Sequence, residues 1–275
     1  MTNVLRAVVL GNPIEHSLSP KLHNYWLQRY GLQGSYTAQK VVEDALKESV
    51  LDLVKQGFAG ANVTIPHKVS VLQLAHQVTD RATLIGAANT LIFKKDGGIF
   101  ADNTDGYGFM SNLQQNAPHW DPKSGPAALF GAGGAARAII VALADAGVPE
   151  IRLANRTRVK AEALREEFGA RIRVVDWVQA DQMLDGAATV VNTTSLGMSG
   201  AQEFKVSLEL LDPQAVVTDI VYNPLITPFL KAAEERGCAV VDGLGMLLHQ
   251  GVPGFERWFG IRPEVDDETR RAVLA

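Results

Sequence analysis

Small polar and charged side chains that could bind a hydroxylated molecule and exchange a proton with it are concentrated in four short segments. These segments are Ser17 to Pro20, Asn62 to Lys68, Gly86 to Thr90 and Asp102 to Gly106. A lysine and an aspartate that lie close together can move a proton to or from an alcohol or ketone. We therefore interpret Lys68 and Asp105 as a candidate acid–base pair, although each alone is more typical of a surface lysine or an Asp-Gly turn.

Local structure accounts for part of this pattern. Ser19 precedes a proline, which predicts a helix with Ser19 as its N-cap and proline at its first position. A helix N-terminus flanked by Ser17 and Ser19 would also suit a carboxylate, so both interpretations stay open. Lys68 is predicted in the first turn of a helix over 66–75, where the helix dipole disfavours a cation. A lysine there costs stability, which favours a functional use.

The first third of the sequence alternates strand-like and helix-like stretches, which predicts a mostly parallel sheet covered by helices. The predicted strands are 5–10, 36–41 and 60–65, and the predicted helices are 20–30, 45–55 and 66–75. Asn62 and Thr64 lie two residues apart at the end of one strand, so we expect their side chains on one face. A hairpin of strands 91–93 and 99–101 is expected to edge this sheet.

A second series of strands and helices follows the Pro- and Gly-rich stretch 118–126, where we place a change of domain. This alternation predicts a doubly wound α/β fold. The predicted strands are 127–130, 151–155, 172–175, 189–192, 216–220 and 239–242, with helices over 135–146 and 161–168. A last helix is predicted over 246–259, followed by a polar tail.

A glycine-rich loop joins the first strand and helix of this second series. The residues Gly131, Ala132, Gly133, Gly134, Ala135 and Ala136 match the pattern GxGxxA. In that pattern the first glycine permits a tight turn, the second lets the backbone approach a pyrophosphate, and the small last residue permits close packing. The helix N-terminus would then bind the phosphates of a dinucleotide, although such a loop can also be only a tight turn.

The next predicted strand ends in a basic segment rather than in an acid. A site for NAD usually has Asp or Glu there to bind the ribose hydroxyls. Here the strand is followed by Asn155, Arg156, Thr157 and Arg158, with Lys160 beyond. Two or three cations and a hydroxyl suit a 2′-phosphate, so the sequence favours NADP over NAD; a solvated basic loop is the alternative.

Composition excludes several classes of protein. The 275 residues carry a net charge of −4 without a long basic run, which disfavours nucleic acid and membrane surfaces as partners. The single cysteine cannot form an internal disulfide, and the six histidines show no metal-ligand spacing, so we expect no metal site. The N-terminal apolar run is too short to span a membrane and lacks a signal pattern, so a cytoplasmic location is expected.

The combined motifs closely resemble the shikimate dehydrogenase family, and the match spans almost the whole chain. The matching segments are Gly11 to Ile14, His16 to Pro20, Asn62 to Lys68, Gly86 to Thr90, Asn103 to Gly106, Gly131 to Ala136, Asn155 to Thr157, Asn192 to Gly197 and Asp242 to Gly251. The resemblance implies an NADP-dependent, reversible reduction of 3-dehydroshikimate to shikimate in aromatic amino-acid biosynthesis. Shikimate and 3-dehydroshikimate would be its small-molecule partners, and the protein would be a monomer or homodimer.

The resemblance also implies roles for individual residues. Ser17 and Ser19 would bind the substrate carboxylate, and Lys68 and Asp105 would be the catalytic pair. The other substrate-binding residues would be Asn62, Thr64, Asn89, Asp105, Tyr222 and Gln250. The cofactor would be bound by Asp80, the glycine loop Gly131, Ala132, Gly133, Gly134 and Ala135, the basic segment Asn155, Arg156, Thr157, Arg158 and Lys160, and, at its nicotinamide end, Thr194, Ile220 and Gly243.

The family's fold implies two α/β domains. The substrate-binding domain, with a mostly parallel sheet, would comprise 1–105 and be completed by C-terminal helices in 243–275; a Rossmann-like NADP-binding domain would comprise 106–242. The nearest alternative function is a quinate/shikimate dehydrogenase with a broader substrate range or use of NAD, and the two serines favour shikimate. A non-catalytic NADP-binding regulator is a third possibility, which the presence of both Lys68 and Asp105 disfavours.

Overall fold

The structure is a computed structural model, and it describes residues 4–275. The chain divides into two compact units. One contains the described residues up to Gly108 together with Leu247–Ala275, and the other is Phe109–Met246. The two α/β units confirm the predicted fold class, and their boundaries fall a few residues beyond the predicted limits of 105 and 242, inside two helices.

The first unit is built on a six-stranded, mostly parallel sheet. Its strands are β1 (Leu5–Gly11), β2 (Gly34–Lys40), β3 (Gly60–Val63), β4 (Gln77–Val78), β5 (Thr90–Phe93) and β6 (Ile99–Asp102). They lie in the order β2-β1-β3-β5-β6-β4. The strands β1–β2, β1–β3 and β4–β6 pair in parallel, whereas β5 runs antiparallel to both of its neighbours.

The position of the hairpin corrects the prediction. The β5–β6 hairpin was expected at the edge of the sheet, but β4 pairs with β6 and takes that edge. This strand has only two residues, which is too short to give an alternating pattern in the sequence. The hairpin therefore lies inside the sheet, and β6 delivers the residues that follow it to the interior of the unit.

Helices cover this sheet, and one predicted helix does not form. The helices of the first unit are α1 (Ser19–Arg29), α2 (Leu46–Lys55), α3 (Asp80–Ile85), α4 (Asp105–Asn116), which continues beyond the unit, α8 (Leu244–Phe259), which begins before it, and α9 (Asp267–Leu274). The predicted helix over 66–75 is wrong, because 65–69 form turns and only a 3-10 helix over Ser70–Leu74 follows. Lys68 thus precedes the helical segment, and the proposed dipole argument does not apply to it.

A cluster of aromatic rings under this sheet encloses a histidine. His23 is fully buried and stacks on Tyr36, with ring centroids 4.0 Å apart and an interplanar angle of 5°. Phe255 and Trp258, from the helix α8 (Leu244–Phe259), pack on the same ring. Neither ring nitrogen has a hydrogen-bond partner within residues 4–275. Burial without a partner lowers the pKa of His23 to about 3, so the ring is neutral in the folded protein.

Acid is expected to destabilise the protein through His23. The unfolded state binds a proton at His23 below its ordinary pKa of 6.5, whereas the folded state binds it only near pH 3. Stability from the neutral ring is therefore complete above pH 6.5 and is lost as the pH falls, by about 3 kcal/mol at pH 4.5. In urea unfolding, His23→Phe should lose less stability than the unchanged protein between pH 7 and 4.5. The exposed His119→Gln serves as the control, and equal losses in all three proteins would contradict the prediction.

The second unit has a six-stranded sheet in which all neighbouring strands are parallel. Its strands are β7 (Ala127–Phe130), β8 (Ile151–Ala154), β9 (Ile172–Val175), β10 (Thr189–Asn192), β11 (Val216–Asp219) and β12 (Ala239–Val241), and its helices include α5 (Gly134–Ala146), α6 (Arg158–Phe168) and α7 (Pro228–Glu235). The order is β12-β11-β10-β7-β8-β9, so the chain reverses direction across the sheet between β7 and β10. Ligands of doubly wound sheets bind at this switch point.

Burial explains why these short strands form. Every residue of β7, β10 and β11 is buried, as expected for parallel strands covered by helices on both faces. One apolar cluster on α5 and α6 includes Ile139, Leu143 and Leu164, and a second on the opposite face includes Phe229 and Leu230 of α7. Packing of helices on both faces of the sheet fixes the ends of the strands. It thereby also fixes the loops that carry the predicted cofactor residues.

Residues 4–275 contain neither a membrane-spanning helix nor a cluster of metal ligands. No helix in that range is both long and apolar enough to cross a membrane. Within it, no three side chains of the types His, Cys, Asp and Glu are grouped to hold a metal ion. The cytoplasmic location and the oligomeric state expected from the sequence stay predictions.

Candidate active site and dinucleotide site

A buried ion pair joins Lys68 and Asp105 in the first unit. Lys68 Nζ lies 2.5 Å from Asp105 Oδ2, and the two side chains are only 13% and 4% exposed. Burying both charges costs hydration energy, so such a pair is stable only when other hydrogen bonds satisfy its remaining atoms. The structure thus places together the two residues that the sequence indicates for proton exchange.

Backbone contacts at strand ends hold both members of this pair. The carbonyl of Lys68 accepts a hydrogen bond from the N–H of Ala88 at 2.7 Å. Asp105 is the first residue of α4, and its N–H donates to Asn103 Oδ1 at 3.0 Å. A carboxylate at a helix N-terminus is stabilised by the helix dipole. The aspartate is therefore fixed by its helix, and the lysine by the turn that precedes the 3-10 helix.

Asn89 connects this ion pair to helix α8. Its Nδ2 lies 2.9 Å from Asp105 Oδ1, 2.9 Å from Thr104 Oγ1 and 3.0 Å from Gln250 Oε1. Its Oδ1 accepts from the N–H of Thr104 at 2.9 Å. Three segments far apart in the sequence therefore meet at one buried amide, and the predicted residues Lys68, Asn89, Asp105 and Gln250 form a single polar cluster.

Asn62 lies beside this cluster at the end of β3. Its Oδ1 accepts from the Tyr36 hydroxyl at 2.6 Å, and its Nδ2 donates to the carbonyl of Asn89 at 3.0 Å. Thr64 follows β3 and packs against Gly11, where a Cβ would overlap Thr64 Cγ2. A glycine at position 11 is thus required for this placement of Thr64.

The serine pair near α1 differs from the prediction in one respect. The N-cap of α1 is Leu18, which makes no side-chain capping bond, and the helix already begins at Ser19. Ser19 is therefore not the N-cap, and its N–H instead lies 3.3 Å from Ser17 Oγ. Ser19 is 5% exposed and Ser17 is half-buried. The capping role that would have explained Ser19 without any ligand is absent.

A second aspartate near the cluster has its own cation. Asp102 accepts hydrogen bonds from both Arg81 and Thr79. Burial acts to raise its pKa, but the hydrogen bonds from Arg81 and Thr79 outweigh that effect and hold the pKa of Asp102 below its ordinary value. Arg81 is thus occupied by Asp102. Asp80, predicted near the cofactor, is exposed in the first turn of α3 and belongs to the first unit.

The glycine loop of the second unit has the geometry of a phosphate cradle. Gly131 has φ +109°, and a Cβ there would lie 2.6 Å from Thr193 Oγ1, so only glycine fits. Gly133 precedes α5, and no atom lies within 4 Å of where its Cβ would be. Open space at a glycine before a helix N-terminus is what a pyrophosphate needs. The residues present therefore fit a dinucleotide.

The basic segment after β8 lies on the wall of a cavity of about 840 Å³ in the second unit. Asn155 links it to the glycine loop, because its Oδ1 accepts from the N–H of Ala132 at 3.2 Å. Arg156 is exposed and lines the cavity. Arg158 is paired with Asp176 and Glu162 instead. The remaining predicted members, Thr157 and Lys160, are exposed at the start of α6.

The residues predicted at the nicotinamide end lie around the ends of β10 and β11. Thr194 lines the same cavity. Gly243 packs so closely on Ile220 that a Cβ would lie 2.5 Å from the carbonyl carbon of Ile220. Tyr222 is half-buried, three residues after β11.

Some residues of the two sites are not predicted by the sequence. Tyr36 was interpreted only as part of a strand, yet it donates to Asn62. Trp177 lines the cavity from a 3-10 helix that no periodicity indicates. Asp219 lies buried at the end of β11. An acid within a run of apolar strand residues is the one signal that could have indicated Asp219.

The fold and the two sites define an α/β protein of the dinucleotide-binding dehydrogenase class. Three family models match the sequence: the shikimate dehydrogenase substrate binding domain over residues 9–91, shikimate / quinate 5-dehydrogenase over 114–222, and the shikimate 5′-dehydrogenase C-terminal domain over 243–274. A relative from Cereibacter sphaeroides named shikimate dehydrogenase (NADP(+)) is 64% identical over 275 residues, covering 100% of this chain and 99% of the relative. The chain belongs to the shikimate dehydrogenase family.

Solved structures of related proteins share this fold. Shikimate 5-dehydrogenase from Thermus thermophilus, in complex with NADP(H) and shikimate, has a TM-score of 0.87 and 36% identity, covering 98% of this chain and 99% of that one. Quinate dehydrogenase from Corynebacterium glutamicum, in complex with NAD, has a TM-score of 0.89 and 28% identity, with coverage of 98% and 99%.

Proposed function

We propose that this protein catalyses the reversible NADP-dependent reduction of 3-dehydroshikimate to shikimate. The observation that carries the proposal is the Lys68–Asp105 ion pair, buried within a cluster of amides that can bind hydroxyl groups. The names of its relatives, at 56–64% identity, support the substrate and the cofactor.

Lys68 and Asp105 move the proton in this reaction. The cofactor, when bound, supplies or accepts the hydride. In reduction, the carbonyl carbon of the substrate gains the hydride, and the electrons of the C=O π bond move to the oxygen. That oxygen takes a proton from the Lys68–Asp105 pair, and the pair regains a proton from water. The carboxylate holds the ammonium at 2.5 Å, which restricts the positions that the lysine can take. In oxidation, the pair removes the proton from the hydroxyl.

Polar groups around the pair bind and orient the substrate. Asn62, Thr64, Asn89, Asp105 and Gln250 are proposed to bind the ring hydroxyls, and Tyr222 is proposed as a further substrate contact. Ser17 and Ser19 are proposed to bind the carboxylate, and the absence of a capping role for Ser19 supports this. A site built for a hydroxyl rejects analogues that leave its polar groups unpaired, which would restrict the substrate to one ring pattern.

The second unit is proposed to bind NADP. The glycine loop with α5 would hold the pyrophosphate, and Arg156, Thr157 and Lys160 would surround the 2′-phosphate. Support comes from the open space at Gly133 and from Arg156, whose guanidinium pairs with no carboxylate within residues 4–275. Its planar fork suits a phosphate. Arg158, with two acidic partners, would contribute less.

A steady-state assay of shikimate and quinate, each with NADP and with NAD, tests the proposal. We expect the highest kcat/KM for shikimate with NADP. A faster reaction of quinate with NAD would instead support the second candidate, which the similarity to a quinate dehydrogenase structure favours. Absence of turnover with every pair, together with retained NADP binding, would support a regulator.

Removal of the Tyr36 hydroxyl is expected to weaken substrate binding. Tyr36→Phe removes the 2.6 Å hydrogen bond to Asn62 Oδ1, so the amide is held only through its Nδ2, which donates to the carbonyl of Asn89. A net hydrogen bond contributes about 1 kcal/mol, so KM for shikimate should rise roughly fivefold while kcat changes little. Tyr30→Phe is the matched control, because its hydroxyl accepts from the N–H of Glu264 instead. An unchanged KM in Tyr36→Phe would show that Asn62 does not depend on this bond.

A further inference from the structure

A buried carboxylate in the second unit has no part in the proposed chemistry. Asp219 ends β11 and is 1% exposed. Its Oδ1 accepts from the N–H of Val221 at 2.9 Å and from Asn192 Nδ2 at 3.0 Å, and its Oδ2 accepts from Thr227 Oγ1 at 2.9 Å. No Lys, Arg or His within residues 4–275 forms an ion pair with it. Burial raises its pKa to about 6.

This arrangement is unfavourable for stability alone. A buried carboxylate that only neutral groups solvate costs folding free energy, and an apolar side chain on the same strand would not. The strand neighbours of Asp219 are Val216, Val217 and Thr218, all buried. Because burial of the Asp219 carboxylate costs folding free energy, we look for a role other than stability, and its hydrogen bonds indicate that role.

Asn192, at the end of β10, extends the network toward the cavity. Its Oδ1 accepts from Thr194 N–H at 3.0 Å and from Thr194 Oγ1 at 2.7 Å, and its Nδ2 also donates to the carbonyl of Leu196 at 3.1 Å. Its backbone carbonyl accepts from the N–H of Ile220 at 3.0 Å. Thr194 and Leu196 line the cavity that Arg156 also lines. The two side chains together thus fix the loops after both strands.

We infer that Asp219 and Asn192 are positioning residues for the nicotinamide end of the cofactor site. The Asn192 side chain holds Thr194, the Asp219 side chain holds the N–H of Val221, and the backbone carbonyl of Asn192 holds Ile220. The family resemblance assigns Thr194 and Ile220 to the nicotinamide end, and Tyr222, the proposed substrate contact, follows Val221 directly. The inference rests on that proposed function. Neither residue is expected to touch the cofactor. The glycine loop, which is proposed to hold the pyrophosphate, receives no hydrogen bond from either side chain.

Comparison of two ligands separates positioning from general damage to the fold. NADP contains the nicotinamide, whereas adenosine 2′,5′-bisphosphate carries the adenine and the 2′-phosphate without it. In Asp219→Asn, we expect calorimetry to give a Kd for NADP raised five- to tenfold and an unchanged Kd for the bisphosphate. kcat should fall about tenfold, with KM for shikimate within a factor of two.

A second variant and a control complete the experiment. Asn192→Ala should reproduce the same pattern, and the double variant should lose little more than either single one, because both act through one network. Asp212→Asn is the control, since Asp212 also accepts a backbone N–H two residues onward but is exposed. The inference would be overturned if, in the two variants, the Kd values for NADP and for the bisphosphate rose equally, or if neither Kd changed. If the protein without any substitution failed to bind NADP, the proposed function itself would be refuted.

Discussion

Replacement of Lys68 by methionine is expected to reduce kcat for shikimate oxidation about a thousandfold, while the Kd for NADP stays within a factor of two. Methionine retains most of the side-chain length and removes the ammonium that is proposed to exchange the proton. General acid–base catalysis typically contributes factors of about 100 to 10,000, which sets the expected size. The Kd should hold because the ion pair lies in the first unit, whereas the glycine loop lies in the second.

The controls for this variant address charge and folding. Lys95→Met removes an exposed lysine of the same unit and should leave kcat unchanged. Asp105→Asn should also lose most activity, since the ammonium would lose its carboxylate partner at 2.5 Å. Full turnover by Lys68→Met, with a melting temperature close to that of the unchanged protein, would rule out the acid–base role. Coupled loss in the double variant would show that the pair acts as one unit.

Replacement of Arg156 by glutamate is expected to reverse the preference for cofactor. Loss of a charged hydrogen bond costs about 1.5–3 kcal/mol, and a like charge beside the 2′-phosphate adds to that. We therefore expect kcat/KM for NADP to fall about a hundredfold. kcat/KM for NAD should be unchanged or higher, because an acid in this position can accept from the ribose hydroxyl.

Arg158 provides the matched control two residues away. Its guanidinium already pairs with Asp176 and Glu162, so Arg158→Gln should change kcat/KM for NADP less than fivefold. The sequence predicts both arginines as cofactor residues, and the structure distinguishes them, because Arg156 lines the cavity whereas Arg158 pairs with two acids. Arg156→Gln is the charge-matched comparison, and a larger loss of kcat/KM for NADP from Arg158→Gln than from Arg156→Gln would mean that the 2′-phosphate lies beside Arg158.

The proximity of Lys68 and Asp105 could be predicted because the residue types in these segments suit one chemistry. Lysine and aspartate in polar segments at strand ends indicate proton exchange whatever their exact conformation. The local structure of Lys68 could not be predicted in the same way. Pro66 predicts the start of a helix, but the backbone first forms turns over 65–69. Two-residue strands such as β4 give no periodic signal at all.

Hydrogen bonds between distant side chains account for most of what the sequence does not predict. The bond from Tyr36 to Asn62 joins residues 26 positions apart, and the bond from Asn192 to Asp219 joins residues 27 apart. Such contacts depend on the order and pairing of the strands in the sheet: β1 lies between the strands of Tyr36 and Asn62, whereas Asn192 and Asp219 lie on adjacent strands. Parallel pairing of β10 with β11 places Asn192 directly opposite Asp219. Once the sheet order is known, this contact follows.

The discontinuity of the first unit affects how the chain can fold during translation. Residues 109–246 form a contiguous unit that can acquire its core as soon as they leave the ribosome. The first unit still lacks the segment that begins at Leu247, which supplies Gln250 to Asn89 and the Trp258 Nε1–H bond to the Leu91 carbonyl. The half of the protein that is synthesised first is therefore expected to become protease-resistant last.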